Sequence, residues 1–277
     1  MDLTGQVALI TGGSRGLGRA FAQALAAAGA QVAITGRSSD ELSQTAEQLS
    51  SPGSRVLPIP ADVTDPAAAP HVTATVERQL GPITLLVNNA GQFRAFGDVD
   101  VVDPAAWWNE VEVNLRGPFL YAHAVLPAMR ARHAGRIINV ASGAGLGAIA
   151  KASAYVVSKT ALIRLSEILA LETAADGIRV FAIDPGTVRT PMNDYVHDSP
   201  EVAQTFPELQ QWFRSVYAEG RDAPIEHSVR LVLRLAAGDA DDLSGYFLSI
   251  NDDLDALVQQ KKGPEAIPDQ RTLRLVQ

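Results

Sequence analysis

Tyr155 and Lys159 stand four residues apart in Tyr155-Val156-Val157-Ser158-Lys159, thirteen residues after Ser142. On a helix, positions i and i+4 share a face, so a phenol and an ammonium placed this way point in one direction. A free tyrosine hydroxyl has a pKa of about 10, too high to exchange protons readily near neutrality. An adjacent ammonium stabilises the phenolate and lowers that value. The pair therefore suits the proton transfer that accompanies reduction of a carbonyl or oxidation of an alcohol. Lys159 can also reach ribose hydroxyls, and Ser142 can hydrogen-bond a substrate oxygen. A Tyr-x-x-x-Lys spacing arises by chance in many helices, so its meaning depends on what precedes it.

What precedes it is the glycine loop Thr11-Gly12-Gly13-Ser14-Arg15-Gly16-Leu17-Gly18, placed between a first apolar run and a first helical pattern. That context is the one a dinucleotide site requires. Gly12 permits a tight turn, Gly16 lets backbone approach a pyrophosphate at a helix N-terminus, and Gly18 lets helix and strand pack closely. The spacing is Gly-x-x-x-Gly-x-Gly; taken alone it is also compatible with an ordinary glycine-rich turn. The end of the next apolar run, Ile34-Thr35-Gly36-Arg37-Ser38, bears on the choice of cofactor. NAD sites carry a carboxylate there for the ribose 2′-hydroxyl, and NADP sites an arginine for the 2′-phosphate. Gly36 adds no charge, and Arg37, Arg15 and Ser38 can meet a phosphate. Asp40 and Glu41 come too late for the carboxylate position. The expectation is NADP(H) over NAD(H), with a solvated strand end as the plain reading of Arg37.

These residues need a frame. Apolar runs at 7–10, 31–35, 55–59, 85–87, 136–140, 179–183 and 246–250 alternate with helical patterns at 17–28, about 40–50, about 67–80, about 104–134, 155–175 and 227–237. The fourth helical pattern has a candidate break at Gly117-Pro118. Most of the runs are continuously apolar, as parallel strands covered on both faces are. Gly29, Gly81, Gly135 and Gly177 fall just past helix ends, where a left-handed cap is favoured. The alternation predicts an α/β fold: a Rossmann-type, doubly wound parallel sheet of about seven strands with helices on both faces. A chain of 277 residues with 47% hydrophobic residues suits a single domain.

In order and spacing, the chain resembles the classical short-chain dehydrogenase/reductase family from about residue 7 to 250. The resemblance rests on Thr11–Gly18, Asp62-Val63, Asn88-Asn89-Ala90-Gly91, Asn114, Ser142, Tyr155 with Lys159, and Pro185-Gly186-Thr187-Val188-Arg189-Thr190. It implies that Asp62 and Val63 hold the adenine and that Asn89, Ala90 and Gly91 line the cofactor cleft. It further implies that Asn114 binds a proton-relay water beside Lys159, and that Val188 and Thr190, after the Pro185-Gly186 turn, grip the nicotinamide carboxamide. A homodimer or homotetramer packed through the helices of Asn114 and Tyr155 is implied as well. The chain departs from the family after the seventh strand. Where a Val-Asp-Gly-Gly-like turn is common, it has Ser249-Ile250-Asn251-Asp252-Asp253-Leu254-Asp255, whose acids read as a solvated turn or helix cap.

Residues 191–224 stand outside the alternation and carry Tyr195, Phe206, Trp212, Phe213 and Tyr217, with Arg214 and Arg221 as their basic residues. A long connection after a strand's carboxyl end lies where open α/β sheets bind ligands, so it reads as a substrate lid, mobile without ligand. Its composition suggests an uncharged, moderately apolar carbonyl or alcohol substrate. A polar tail runs from about residue 260. The net charge of −8 disfavours nucleic acid and anionic membrane as partners. The His residues lack metal-ligand spacing, so no metal is expected. With no cysteine, no apolar span of membrane length and no basic-then-apolar start at Met1-Asp2-Leu3, the expectation is a cytoplasmic enzyme. Two other readings stay open: an NAD-dependent alcohol dehydrogenase working oxidatively, and a dinucleotide-sensing module without catalysis. Trp107-Trp108 reads as core or subunit contact.

Overall fold

The computed structural model describes residues 1–50, 55–262 and 273. Seven strands form one sheet: β1 (Val7–Thr11), β2 (Gln31–Gly36), β3 (Val56–Pro60), β4 (Leu85–Asn88), β5 (Gly135–Val140), β6 (Ile178–Asp184) and β7 (Phe247–Ser249). Every pairing is parallel, in the order β3-β2-β1-β4-β5-β6-β7. β1 and β4 are buried throughout, and β2 at its four central positions, because both faces of the sheet are covered. Pro58 and Pro60 are tolerated in β3 because it is an edge strand.

One face carries α1 (Gly16–Ala27), α2 (Ser39–Leu49), α10 (Ile225–Ala237) and α11 (Leu254–Lys262). Phe21, Leu25, Leu42, Leu231, Leu235 and Leu254 pack there against Ile10, Ile34 and Ile138. The other face carries α3 (Ala68–Gln79), α5 (Gly117–Arg132) and α6 (Ser153–Thr173), with Val72, Val76, Tyr121, Val125 and Met129 set against Leu9, Leu86 and Ile137. The strand order reverses between β1 and β4, so the crevice at their carboxyl ends is where this topology binds ligands.

Three local features depart from the sequence reading, and a fourth, the acidic segment after β7, follows it as a helix cap. The long fourth helix is two helices: α4 (Pro104–Val111) and α5 are joined by a π-turn over Glu112–Arg116. The irregularity falls before Gly117-Pro118 because Pro118 has no N–H for the carbonyl of Asn114 four residues earlier, and the turn widens. Gly29, Gly81 and Gly177 are left-handed, but Gly135 is not; His133 takes that conformation at φ 52°. Gly135 is small for another reason, since a Cβ there would collide with Met129 Sδ. Residues 191–224 fold as three helices, α7 (Pro191–Asp198), α8 (Pro200–Thr205) and α9 (Pro207–Ala218). The acidic segment after β7 starts α11: Asp253 Oδ1 accepts from Ala256 N at 3.0 Å and Asp252 Oδ2 from Ser249 N at 2.7 Å. Most of the tail lies outside the described residues. Leu273 sits against α6, its N–H donating to Glu167 Oε1 at 2.7 Å.

Candidate active site

A cleft of about 1100 Å³ opens at the carboxyl edge of the sheet, from the glycine loop to the three helices of residues 191–218. Its first wall is shaped by the absence of side chains. Gly12 and Gly16 hold φ of 66° and 55°, a region side chains disfavour. A Cβ on Gly18 would collide with Gly12 O and with Asn89 Nδ2. Asn89 clamps the loop from the end of β4: Nδ2 donates to Thr11 O at 2.9 Å and to Gly12 O at 3.0 Å. Thr11 Oγ1 answers by accepting from Asn89 N and Ala90 N, both at 3.0 Å. The N-terminus of α1 thus faces the cleft with its unpaired N–H groups, a seat for a pyrophosphate. A dinucleotide fits this cradle.

At the end of β2, Gly36, Arg37 and Ser38 line the cleft together with Ser14, Arg15 and Leu17. Both guanidinium groups belong to exposed residues. Ser38 also caps α2, its Oγ accepting from Glu41 N at 3.3 Å. Glu41 was read as lying too far along the chain to matter. It lines the same corner, and its Oε2 accepts from Ser14 Oγ at 3.1 Å. The Ser-x-x-Glu spacing of a helix start carried that information. Asp62 and Val63 lie on the adjoining wall, with Asp62 Oδ1 held by Thr64 N at 2.9 Å and Thr64 Oγ1 at 2.8 Å.

Ser142 follows β5 and caps a short 3-10 turn, Gly143–Leu146, accepting from Ala144 N at 3.2 Å. Tyr155 lies in the first turn of α6 and lines the cleft with Ser142 beside its hydroxyl. One helical turn on, Lys159 is buried; its Nζ donates to Val140 O at 2.8 Å and lies 5.6 Å from the centre of the Tyr155 ring. The three side chains therefore converge as the spacing predicted. The pKa of the phenol does not follow the expectation. Burial pushes Tyr155 up to about 12, outweighing the Ser142 hydrogen bond, and Glu110 and Asp184 add negative charge in the same direction. Burial pushes Lys159 down to about 8, which Glu110 partly opposes.

All the residues read from the sequence as site residues line this cleft except Gly18 and Asn114. Gly18 acts beneath the loop. Asn114 is buried in the π-turn, and its side chain is already engaged: Oδ1 accepts from Gln92 N at 2.7 Å, while Nδ2 donates to Gln92 O at 2.9 Å and Ser158 Oγ at 3.1 Å. The side-chain amide thus ties Gln92 to α6. Pro185, Gly186, Val188 and Thr190 form the wall after β6. Gly186, at φ 75°, sits where a Cβ would strike Ile250, and Thr190 Oγ1 caps α7 by accepting from Asn193 N at 3.4 Å.

The far wall is apolar. Phe206, Leu209, Trp212 and Phe213 reach the cleft, but Tyr195 and Tyr217 do not. Tyr195 lies under Arg94, and Tyr217 under Arg189, which is paired with Asp222 at 2.8 Å. Gln92, Phe93 and Arg94 also line the cleft and were not singled out from the sequence. Their position just beyond Asn88-Asn89-Ala90-Gly91, at the carboxyl end of β4, was the available signal. Trp107 donates to Ser153 Oγ at 2.9 Å, while Trp108 is 61% exposed and away from the cleft. Among the described residues there is no cluster that could hold a metal, and no helix is long and apolar enough to cross a membrane.

A parallel seven-stranded sheet with a dinucleotide cradle at its switch point, facing a convergent Ser–Tyr–Lys group, defines a class of nicotinamide-dependent oxidoreductases. The sequence matches the short chain dehydrogenase family over residues 6–201, and the chain belongs to that family. A short chain dehydrogenase of Pseudocercospora fijiensis is 36% identical over 211 residues, 76% of this chain and 68% of that protein. Among solved structures, levodione reductase superposes with a TM-score of 0.81 at 32% identity, covering 89% of this chain and 96% of the other. An actinorhodin polyketide ketoreductase solved with NADPH superposes with a TM-score of 0.80 at 29% identity, covering 88% of this chain and 95% of the other.

Proposed function

We propose that the protein is an NADPH-dependent ketoreductase for a small, largely uncharged carbonyl compound, working in a single catalytic domain. The observation that carries this reading is the convergence of Ser142, Tyr155 and Lys159 on one cleft with the glycine cradle and the arginine corner. The two superposed reductases favour the same direction of reaction.

A nicotinamide dinucleotide seated in the cradle supplies the hydride. The chain's own residues do the rest. Ser142 donates to the carbonyl oxygen and orients it toward Tyr155. Tyr155, kept protonated by burial, gives its proton to that oxygen as negative charge develops there. The Lys159 ammonium stabilises the resulting phenolate and is placed to hold ribose hydroxyls. Reprotonation runs past Lys159 toward the π-turn, where Asn114 binds the relay water through its backbone carbonyl, which Pro118 leaves without its usual N–H partner. The cofactor contacts are those read above: Gly12 to Gly18 for the pyrophosphate, Arg15, Arg37 and Ser38 for the 2′-phosphate, Asp62 and Val63 for the adenine, Asn89 to Gly91 for the cleft floor, and Val188 and Thr190 for the carboxamide.

Glu41 favours a second reading. A carboxylate hydrogen-bonded to Ser14 in the arginine corner could accept from a 2′-hydroxyl, which suits NAD and alcohol oxidation. Residues 191–224 act as a lid that orders over substrate. The exposed apolar residues Trp108, Phe119 and Ile168, on α4, α5 and α6, suit a homodimer or homotetramer contact, and the enzyme works in the cytoplasm. The test is a comparison of kcat/KM for NADPH and NADH with a panel of cyclic and aryl ketones. A preference for NADPH of more than about tenfold is expected; equal use of both cofactors would overturn the assignment.

A further inference from the structure

Glu110, in α4, is a titratable group that acts on both members of the catalytic pair and that the reaction described above does not use. It is 0% exposed. Its Oε2 accepts from two consecutive backbone N–H groups, Arg94 N at 2.6 Å and Ala95 N at 2.9 Å. Its Oε1 is buried and has no hydrogen-bond partner among the described residues. Burial raises its pKa, and its charge is felt by both Tyr155 and Lys159. A buried oxygen left unpaired costs stability, so a carboxylate here needs a reason beyond holding the fold.

The reason lies in what its two amides belong to. Glu110 and Asn114 are four residues apart, on one side of the helical run, and both reach the segment after β4. Asn114 takes Gln92 by its N–H and its carbonyl, and Glu110 takes the amides of Arg94 and Ala95. Between these anchors Phe93 is held with its ring 4.2 Å from the Tyr155 ring, tilted by 38°. Beyond them the segment touches the helices over the cleft: Arg94 lies 4.1 Å above the Tyr195 ring, and Phe96 packs edge-on against Phe206 at 6.3 Å.

We propose that Glu110 is a positioning residue of the reaction: by fixing the backbone at Arg94 and Ala95 it sets Phe93 against Tyr155 and ties the catalytic tyrosine to the helices that cover substrate. The inference rests on the assignment of Tyr155 as proton donor. It predicts that loosening the segment harms turnover with little effect on the dinucleotide, whose cradle lies on the opposite wall. A glutamine keeps one carbonyl oxygen for both amides, so Glu110→Gln should retain the anchor; Glu110→Ala removes it.

Two measurements test this. The first is amide hydrogen exchange at residues 92–96 in the free wild-type, Glu110→Gln and Glu110→Ala proteins. Exchange at Arg94 and Ala95 should quicken by about tenfold or more in the alanine variant and stay near wild type in the glutamine variant. The second is a double-mutant cycle in kcat with Phe93→Ala, using NADPH and 1-tetralone as the probe ketone. Each single alanine variant should lose about tenfold or more in kcat, with NADPH affinity within about twofold of wild type, and the double variant should lose little further. Unchanged exchange in Glu110→Ala, or multiplicative losses in the double variant, overturns the proposal. If Glu110→Ala does not fold, wild-type kcat in Phe93→Ala overturns it as well. Absence of tetralone reduction by the wild-type enzyme counts against the ketoreductase reading, whereas the exchange measurement decides the anchor by itself.

Discussion

The two walls of the cleft are built on opposite principles. The dinucleotide wall is made from backbone and from missing side chains: Gly12 and Gly16 at positive φ, Gly18 under the loop, and Asn89 clamping the carbonyls of Thr11 and Gly12. The substrate wall is made from side chains brought by four separate segments. Phe93, Phe96, Val196, Val202, Phe206 and Phe213 form a small apolar cluster of their own, joined to the body by Tyr155 and Ala152. One wall tolerates almost no substitution because a single Cβ collides with fixed backbone. The other can exchange volume among several residues and so can be retuned for substrate without disturbing the first.

That contrast can be broken at either wall. At the dinucleotide wall the largest effect is expected for Gly18→Ala. Its Cβ has nowhere to go, and overpacking of this kind should weaken dinucleotide binding by roughly ten- to a hundredfold, measured by NADPH fluorescence. Next is Arg37→Asp. A carboxylate repels the 2′-phosphate and accepts from a 2′-hydroxyl, so the ratio of kcat/KM for NADPH and NADH should move toward NADH by more than about tenfold. The pH dependence sharpens the boundary between the walls. Lys159 has its pKa depressed to about 8, so the folded protein sheds that proton earlier than the unfolded chain does. Ribose binding through the ammonium should therefore weaken as pH rises through about 8. This group's contribution to folding stability should rise between about 8 and its ordinary value of 10.5, the burden of a buried charge being relieved. Titration of NADPH affinity from neutral to alkaline pH reads the first effect, and thermal unfolding over the alkaline range reads the second.

Smaller effects are expected on the apolar wall. Trp212, 46% exposed and at the cleft edge, should on replacement by alanine raise KM for an aryl ketone severalfold, while NADPH affinity stays within about twofold. A change of similar size in NADPH affinity would show that the walls are not independent. The smallest expected effect is that of Glu41→Gln: removing one exposed carboxylate from the arginine corner should favour NADPH by about two- to threefold.

The same contrast explains what could be read from the chain. The seven strands were legible because most are short, continuously apolar runs between helical patterns. The cradle was legible because glycine is required where φ is positive or a neighbour's backbone intrudes. Ser142, Tyr155 and Lys159 were legible as types at fixed spacing. Glu110 was not, because a glutamate in a helical pattern reads as a solvated residue, and its burial depends on a segment folding back from β4. Gly135 was read as a cap when its smallness serves Met129, since close approach and left-handed conformation leave the same mark in sequence. The raised pKa of Tyr155 was hidden for a related reason. Spacing announces the lysine beside it, but not how far the surrounding protein withdraws the phenol from water.

The most direct test of the central claim is a paired measurement on the wild-type enzyme and Tyr155→Phe: the rate of NADPH oxidation with a reducible ketone, and the dissociation constant for NADPH. Removal of the phenol hydroxyl should lower kcat by about a hundredfold or more, because no other group is placed to protonate the carbonyl oxygen, and should leave NADPH affinity within about twofold. A Tyr155→Phe enzyme that kept a substantial fraction of the wild-type rate, or that lost NADPH binding together with turnover, would contradict the assignment of Tyr155 as the proton donor.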